Sequence, residues 1–304
     1  MKVQSVSFGV LKKINKAGQT YKDFDLKSKT TISIGGKAKY FVQICKLEDF
    51  LKVMLYLRET KTKFFVLGGG SNIVFSSNGY SGVVISLEGD FALIEQNFDN
   101  IEMGAGVRLS WAIRYCMQNS LGGFEGAVGV PASIGGATYM NMSCFDFEMS
   151  KIIRYVVAFD LTKFKITYLT HDDCKFGYRA SIFQNKNYII LRVGFELKHM
   201  ENADLRQKLI ATLQKRLDSQ PKGHSAGCVF KKISGLQVSK MLDEIGVKGM
   251  SIKDAIVSEK HANFVINQAN ATSQDVHNLV DAISQKFESV YGIKLECEIE
   301  FIGE

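Results

Sequence analysis

The stretch Leu67-Gly68-Gly69-Gly70-Ser71-Asn72 decides how the first half of this 304-residue chain folds. It begins where Phe64–Leu67, a short apolar run that predicts a β-strand, comes to an end. Because glycine lacks a Cβ atom, its backbone can approach an anion closely, and consecutive N–H groups can surround that anion. The Ser71 hydroxyl and the Asn72 amide add donors at the same turn. The stretch therefore indicates a turn that holds a phosphorylated cofactor.

Two further glycine-rich segments, Ile34-Gly35-Gly36 and residues 126–136, occur in the same half of the chain. A Rossmann fingerprint needs G-x-G-x-x-G, but the sixth position counted from Gly68 is Ile73. No G-x-x-x-x-G-K-[ST] string of a P-loop occurs either. Glycines that only make tight turns are the alternative reading. Three such segments, two of them with hydroxyl or amide donors, favour a phosphate cradle of another kind.

Apolar patterns around these turns predict a β-α-β beginning, then a strand-rich stretch, and a second part with more helix. Strands are predicted at Lys39–Cys45, Phe64–Leu67, Val83–Leu87, Ile153–Phe159, Lys165–Leu169, Tyr188–Leu197, His261–Asn267 and Leu295–Ile302. Helices are predicted at Leu47–Leu57, Trp111–Met117 and Leu205–Leu217, between Gly235 and Gly246, and after a capping box at Thr272. A polar break at His199–Asp204 separates the two parts. We therefore predict domains at 1–200, with a core over about 30–198, and at 201–304.

Charge and cysteine content narrow the class of protein. The net charge is +7, but the lysines are scattered and form no stripe with aromatic residues. This pattern disfavours nucleic-acid binding and suits an anionic small substrate. The six cysteines include no C-x-x-C pair, and no two lie closer than 28 residues, so a reducing compartment is expected. No close histidine pair indicates a metal site.

The sequence shows no pattern of export or membrane insertion. No apolar run approaches the ~20 residues that a membrane helix needs. Met1–Lys16 has neither a continuous apolar segment nor a small-residue cleavage site, so it does not resemble a signal peptide. We therefore expect a cytoplasmic protein without a membrane partner.

Arg179 and Cys228 are candidate functional residues of the second half. Arg179 follows Phe176-Gly177 and could pair with a carboxylate or phosphate, although a surface arginine is the commoner case. Cys228 follows the small residues Ser225-Ala-Gly, which let a ligand approach its thiol. That thiol could act as a nucleophile or as a proton donor, while a buried structural cysteine is the alternative.

Acidic residues near residue 300 form another candidate group. In a strand, Glu296, Glu298 and Glu300 would share one face, and the pattern alone does not distinguish a solvated acidic face from a functional carboxylate. His261, in a polar stretch before an apolar run, is interpreted as a hydrogen-bonded structural histidine.

At these residues the chain resembles the UDP-N-acetylenolpyruvoylglucosamine reductase family, from about Thr30 to Gly303. The order and spacing of the matching strings carry the resemblance. They are Ile34-Gly-Gly-x-Ala38, Leu67-Gly-Gly-Gly-Ser-Asn72, Gly123-x-Glu-Gly126, Gly129-Val-Pro-Ala-Ser-Ile-Gly-Gly136, Tyr139-Met-Asn141, Tyr178-Arg-x-Ser-x-Phe183, Arg216 with Gln220-Pro221, Ser225-Ala-Gly-Cys228, Phe230-Lys231, Val257-Ser-Glu-Lys-His-Ala-Asn263 and Leu295-Glu-x-Glu298.

The resemblance implies an α+β protein with an FAD-binding domain of the vanillyl-alcohol-oxidase (PCMH) type. A smaller C-terminal α+β substrate domain would follow, its last strand contributing Glu298. The short distance between Arg179 and Cys228 is similar to the branch without an extra substrate-covering loop. The implied ligands are FAD, NADPH as cosubstrate and a UDP-sugar, with a monomer as the expectation for the oligomeric state. The implied cofactor-binding residues are Leu67, Gly68, Gly69, Gly70, Ser71, Asn72, Gly129, Val130, Ser133, Ile134, Gly135, Gly136 and Arg216.

The resemblance also implies a reaction, the reduction of an enolpyruvyl ether to a lactyl ether in peptidoglycan precursor synthesis. Arg179 and Glu298 would stabilise negative charge next to the substrate carboxylate, and Cys228, in place of the usual serine, would donate a proton. Tyr178 and Lys231 would contact the substrate. The chain departs from the family at Lys232-Ile233, where Asn-Pro is usual, at Met142–Phe145, and at Lys29 in place of a common histidine.

Two other hypotheses remain open at this point. A flavin enzyme of the same fold could oxidise an alcohol or a lactone, although such enzymes lack the pairing of Ser-Ala-Gly-Cys with Leu-Glu-x-Glu. A basic nucleic-acid-binding or structural protein is the alternative from another class.

Overall fold

Two compact units, each with its own hydrophobic core, make up the described residues 18–97 and 100–303 of the computed structural model. Their members are residues 18–21, 40–69 and 82–214 for unit 1, and residues 22–39, 70–81 and 215–303 for unit 2. The chain therefore passes between the units five times. The domain boundary near residue 200 stays a prediction. The expectation about Met1–Lys16 concerns residues outside the described ranges.

The helices form where apolar residues recur on one face. They are α1 (Leu47–Thr60), α2 (Leu109–Gln118), α3 (Ile134–Tyr139), α4 (Asn202–Ser219), α5 (Val238–Glu244) and α6 (Ser273–Tyr291). Five predicted helices are confirmed, with ends shifted by a few residues. The sixth, α3, begins inside the glycine segment 126–136 and was not predicted, because glycine is a poor helix former.

The strands are short, and most of the predicted ones are confirmed. They are β1 (Gln19–Asp25), β2 (Lys37–Ile44), β3 (Phe64–Leu67), β4 (Ile73–Phe75), β5 (Tyr80–Leu87), β6 (Ile94–Asn97), β7 (Asn100–Gly104), β8 (Leu121–Gly122), β9 (Ser143–Cys144), β10 (Phe147–Glu148), β11 (Ile153–Asp160), β12 (Lys165–Thr170), β13 (Tyr188–Phe195), β14 (Lys198–His199), β15 (His224–Cys228), β16 (Ser251–Ile252), β17 (Ala255–Val257), β18 (Phe264–Asn267) and β19 (Glu300–Ile302).

Unit 1 contains a five-stranded antiparallel sheet in the order β12-β11-β13-β7-β6. Its core includes an aromatic cluster in which the Phe50 ring of α1 meets Phe159 of β11 edge-on at 5.3 Å. Strand β13 is largely buried, which explains its nearly unbroken apolar sequence.

The β-α-β beginning is present as β2, α1 and β3, but its strands are not neighbours. The sheet order is β1-β2-β5-β3, so β5 lies between β2 and β3. Strands β3 and β5 are parallel, with Phe64 opposite Val83 and Leu67 opposite Ser86. The glycine turn therefore leaves this sheet at the carboxyl end of an edge strand.

Unit 2 is built on an antiparallel sheet in the order β15-β18-β17-β16. The apolar face of α6, with Leu279, Ile283 and Phe287, lies in the unit 2 core. Strand β19 pairs in parallel with β4, which comes from the much earlier segment 70–81. Residues from three distant stretches of sequence therefore complete one core.

The prediction of a continuous strand over Leu295–Ile302 is wrong for its first half. Only Glu300–Ile302 is a strand, and Glu298 and Ile299, which alternation would place on opposite faces, are both buried. The reason is a separate contact of this segment with residues 229–231. The Glu298 N–H donates to the Val229 carbonyl at 2.7 Å, and the Lys231 N–H donates to the Glu296 carbonyl at 2.9 Å.

Candidate active site

The predicted cofactor turn follows β3 directly, and its first glycines lie against the second glycine segment within unit 1. A Cβ atom on Gly68 would lie 2.7 Å from Ser133 Oγ, and one on Gly69 would lie 2.6 Å from the Pro131 carbonyl oxygen. Cβ atoms do not make such short contacts, so only glycine allows this approach. The structure therefore brings two of the predicted cofactor segments together.

The second glycine segment is held rigidly by backbone and side-chain hydrogen bonds. Ser133 caps α3 by accepting the Gly136 N–H at 3.2 Å. The N–H groups of Ile134 and Gly135 donate, each at 2.8 Å, to the carbonyls of Val107 and Ala105. These two N–H groups are therefore already paired inside unit 1.

Two predicted cofactor residues of unit 1 contribute their side chains to its core. Ile134 is fully buried and Leu67 is nearly so. Gly129 and Val130 precede α3 in a loop, where Gly129 is exposed and has a φ of +80°. A ligand bound where Gly68 and Gly69 meet the second glycine segment would therefore contact mostly backbone and the Ser133 hydroxyl.

The remaining cofactor-turn residues, Gly70, Ser71 and Asn72, belong to unit 2. Gly70 has a φ of +64°, and a Cβ atom there would clash with the Lys29 carbonyl oxygen. Its own carbonyl accepts the Thr31 N–H at 3.0 Å. The Asn72 Nδ2 group donates to the Glu298 carbonyl at 3.0 Å. The side chain of Asn72 is thus directed at another predicted site residue.

Arg179 lies in a tight turn of unit 1. Gly177 and Ala180 exchange backbone hydrogen bonds of 3.0 and 3.1 Å across the turn, which leaves Tyr178 and Arg179 between them. Arg179 has a φ of +50°, an uncommon conformation for a non-glycine residue. Its guanidinium carbon lies 5.7 Å from the centre of the Tyr178 ring. The arginine is partly buried rather than a free surface residue.

Cys228 ends β15 next to a β-bulge. Ser225 is opposite Ile266 and Cys228 is opposite Phe264, so β15 contains one residue more than its partner β18 in this interval. Gly227 occupies the bulge with a φ of +83°, and a Cβ atom there would lie 3.8 Å from the Ser71 carbonyl oxygen. The partly buried thiol therefore lies in the same unit as the end of the cofactor turn.

Glu298 lies on the neighbouring segment, with 8% of the residue exposed. The hydrogen bond from its N–H to the Val229 carbonyl joins it to the residue after Cys228. The Glu296 side chain, in contrast, is 73% exposed and pairs with Lys231. The structure therefore separates one buried carboxyl from the acidic group near residue 300 and places its backbone next to the cysteine segment.

The other predicted site residues are distributed over both units. Tyr178 is exposed in unit 1, and Lys231 forms its ion pair with Glu296 in unit 2. Arg216, in the last turn of α4, donates from Nη1 to Gln220 Oε1 at 2.8 Å. This contact connects two residues of the matching strings.

Sequence reasoning missed the residues that fix these segments. The buried Asn263 donates from Nδ2 to the Phe230 carbonyl and accepts the Phe230 N–H, each at 2.9 Å. In unit 1, the Asn141 Nδ2 donates to the Gly177 carbonyl at 2.8 Å and so holds the turn of Arg179. An amide just before an apolar strand was the available signal for Asn263, but an amide side chain alone does not reveal its partner.

His261 is confirmed as a hydrogen-bonded histidine, because its Nδ1 accepts the Asn263 N–H at 3.2 Å. Burial lowers the pKa of its imidazole below 6.5. In the part of the chain that the structure describes, no group of three or more potential ligands is arranged for a metal ion. No helix there combines the length and the apolar character that crossing a bilayer requires.

The two glycine segments of unit 1 lie in a domain that matches a known class of flavin-binding protein. Residues 38–162 match the model of an FAD binding domain, and residues 219–302 match the model of the UDP-N-acetylenolpyruvoylglucosamine reductase C-terminal domain. The first match spans both glycine segments that converge in unit 1. The second spans the segments of Cys228 and Glu298.

Similarity to individual proteins extends over nearly the whole chain. A UDP-N-acetylenolpyruvoylglucosamine reductase of Caldanaerobacter subterraneus subsp. tengcongensis is 35% identical over 97% of this chain and 97% of its own. One from Clostridium perfringens is 32% identical over 94% of this chain and 96% of its own. The crystal structure of the Thermus caldophilus enzyme superimposes with a TM-score of 0.80 at 30% identity, covering 93% of this chain and 98% of that chain. The chain belongs to the UDP-N-acetylenolpyruvoylglucosamine reductase family.

The residues present fit FAD. Gly68 closely approaches Ser133 and Gly136, and Gly69 approaches Pro131 and Ala132, so backbone and hydroxyl groups of two glycine segments lie together, which suits a diphosphate. The α+β fold with an FAD-binding domain, expected from the sequence, is confirmed.

Proposed function

We propose that this protein reduces UDP-N-acetylglucosamine enolpyruvate to UDP-N-acetylmuramate with bound FAD and with NADPH as the electron donor. The observation that carries the proposal is the pairing of the Cys228 and Glu298 segments in unit 2 through the 2.7 Å bond from Glu298 N–H to Val229. A thiol and a carboxyl on adjacent segments offer the acid and the charge stabiliser that reduction of an enol ether needs. Membership of the reductase family supports the substrate.

When bound, FAD supplies the transfer of a hydride equivalent from the nicotinamide to the methylene carbon of the enolpyruvyl group. The second hydrogen arrives as a proton. Cys228 donates that proton from its thiol to the adjacent carbon and regains one from solvent. The net change converts one carbon–carbon double bond to a single bond and oxidises NADPH to NADP⁺.

Arg179 and Glu298 stabilise the charge that develops during this reduction. The planar guanidinium of Arg179 binds the substrate carboxylate as a fork, and the hydrogen-bonded turn fixes the backbone from which this side chain extends. Glu298 donates a hydrogen bond to the enolate oxygen, which requires its carboxyl to hold a proton. Each well-aimed group of this kind contributes about 3 kcal/mol.

The remaining assignments are part of the same proposal. The proposed FAD-binding residues are Gly68–Asn72, Gly129–Gly136 and Arg216. Tyr178 and Lys231 bind the UDP-sugar, and the Lys231 ammonium exchanges Glu296 for the substrate diphosphate. The overall charge of +7 suits such an anionic substrate.

We also infer a cytoplasmic monomer. All six cysteines lie in the described residues and are thiols rather than members of a disulfide, which agrees with a reducing compartment. Light scattering coupled to gel filtration at several concentrations measures the oligomeric state. A mass that corresponds to one chain of 33.9 kDa is expected.

The test of the function separates the two half-reactions in a stopped-flow instrument. The variant Cys228→Ala should keep normal bleaching of the flavin by NADPH. Reoxidation by the enolpyruvyl sugar nucleotide should slow by about 10²–10⁴-fold, the usual contribution of a general acid. The control Cys228→Ser, which restores the residue common in the family, should retain more of the second step than Cys228→Ala.

Full turnover by Cys228→Ala would contradict the role of the thiol. Bleaching of the flavin by an alcohol or lactone without NADPH would instead favour an oxidase. A purified protein that takes up no flavin would overturn the proposed function as a whole.

A further inference from the structure

Asn72 connects the end of the cofactor turn to the segment of Glu298 within unit 2. Its Nδ2 group donates to the Glu298 carbonyl at 3.0 Å, although the two residues are 226 positions apart. Its own carbonyl accepts the Glu300 N–H, also at 3.0 Å. Asn72 therefore binds the residues just before and at the start of β19 in two ways, once through its side chain and once through its main chain.

The Glu298 main chain is consequently fixed on both sides. Its N–H is bound to the Val229 carbonyl at 2.7 Å, and its carbonyl accepts the Asn72 amide. The β19 ladder begins only at Glu300, opposite Ile73. Glu298 and Ile299 are both buried and lie before the first residue of the ladder. The Asn72 amide supplies the hydrogen bond that the Glu298 carbonyl would receive in a regular ladder.

We propose that Asn72 is a positioning residue for Glu298, so that its amide acts on the acid rather than on the cofactor. The inference rests on the proposed function, in which the Glu298 carboxyl stabilises charge on the substrate. The bond to Val229 holds the peptide before the Glu298 Cα atom and the bond from Asn72 holds the peptide after it, so together they fix the direction of the Cα–Cβ bond and of the carboxyl. Loss of the amide would release the second of these peptides, and the cofactor turn thereby determines where the acid of the substrate site lies.

The experiment compares Asn72→Ala and the isosteric Asn72→Asp, which replaces the donor by an acceptor, with a control. Asn78→Ala is the matched control, because Asn78 is an exposed asparagine of the same short segment of unit 2. The affinity of each apoprotein for FAD is measured by fluorescence titration, and urea unfolding verifies that each variant is folded. Both steps of the catalytic cycle are then followed with saturating FAD.

We expect both Asn72 variants to bind FAD within about 2-fold of the wild type. Bleaching of the flavin by NADPH should be unchanged, while the step with the enolpyruvyl sugar nucleotide should slow by about 10–100-fold, as expected for one lost aiming hydrogen bond. In a Glu298→Gln background the Asn72→Ala change should add less than about 2-fold, because the two residues act as a unit.

Several outcomes would overturn the inference, and they differ from failure of the function itself. Weaker FAD binding with normal turnover at saturation would make Asn72 a cofactor ligand. If the losses of turnover multiply in the double variant, Asn72 does not act through Glu298. Normal turnover by Glu298→Gln would show that Glu298 has no role for Asn72 to position. If Asn72→Ala does not fold, Asn72→Asp carries the same comparison. A wild-type protein without NADPH-dependent reduction would contradict the proposed function.

Discussion

Gly227 shows how the backbone conformation of one glycine can orient the side chain of its neighbour, Cys228. Its φ of +83° lies in the left-handed region, and the bulge that it makes sets the direction of Cys228. No atom lies closer than 3.8 Å to the position of a Cβ atom, so space does not require glycine there. The backbone conformation does, because other residues pay about 1–2 kcal/mol in that region.

The variant Gly227→Ala is therefore expected to lose about 1–2 kcal/mol of unfolding free energy and, in addition, much of its turnover. The matched control is Gly235→Ala, since Gly235 has a φ of +77° and no atom within 4 Å of a Cβ position. Urea unfolding should give similar losses of stability for both variants. Steady-state assays should show reduced kcat for Gly227→Ala only. Equal kcat values in the two variants would mean that the bulge does not direct the thiol.

At this scale the sequence predicted the chemistry of the residues better than their partners. Cys228 was singled out by its small neighbours, and its bulge agrees with the Ser-Ala-Gly sequence. Glu298 could not be distinguished from Glu296 by pattern, because the difference between the buried Glu298 and the exposed Glu296 side chain arises from packing against distant residues. The Asn263 amide was missed for the same reason, since its partner Phe230 lies 33 residues away.

Helix α6 shows what a local signal can establish at the scale of an element. The capping box at its start is present, with Thr272 accepting the Asp275 N–H at 3.1 Å and Asp275 accepting the Thr272 N–H at 2.9 Å. The hydrogen bond from the Thr272 backbone, together with Lys253, lowers the pKa of the Asp275 carboxyl below 3.8. The helix ends at Gly292, whose φ is +67°.

The variant Thr272→Ala should lose about 1 kcal/mol of unfolding free energy in urea unfolding, the usual contribution of an N-cap.

Because the pKa of the Asp275 carboxyl is lower in the folded than in the unfolded state, the stabilisation that this carboxylate gives is present above the unfolded pKa and is lost as the pH falls through the folded pKa. Urea unfolding of wild type and Asp275→Asn should therefore differ most near neutral pH, and the difference should shrink in acid below about pH 4. A difference that does not change with pH would exclude the carboxylate as its cause.

Element types were predicted well, and element neighbours were not. Helical periodicity and capping act within a few residues, so α1, α4 and α6 follow from the sequence. The insertion of β5 between β2 and β3 depends on pairing between distant strands, which short patterns do not encode. The early end of the Leu295–Ile302 strand has the same origin, because contacts with residues 229–231 replace a ladder there.

The whole molecule is organised by segments that return to a core made elsewhere in the sequence. The unit 2 core includes Ile32, Ile34 and Val74 together with residues of α6. These early residues come from segments 22–39 and 70–81, between stretches of unit 1. Neither unit can therefore be obtained by cutting the chain once. A change of composition along the sequence can suggest a single boundary. It cannot reveal contacts between residues that are more than 200 positions apart.

A fragment that starts at Lys215 should consequently fail to fold as the intact protein does. It would lack β4, the parallel partner of β19, and the buried Ile32, Ile34 and Val74. Near-ultraviolet circular dichroism and urea unfolding should show no cooperative transition for the fragment, while the intact chain should show one. A sharp transition and dispersed NMR signals from the fragment would contradict this dependence on the early segments.

The pairing of β4 with β19 also has a consequence for biosynthesis. Asn72, just before β4, and Glu298, just before β19, are separated by 226 residues. At a translation rate of roughly 5–20 residues per second, β4 leaves the ribosome on the order of 10–40 s before its partner strand exists. During that interval the edge of β4 that pairs with β19 remains without this partner on the nascent chain. Slow codons or scarce chaperones in this window would therefore reduce the yield of native protein without any change in its sequence.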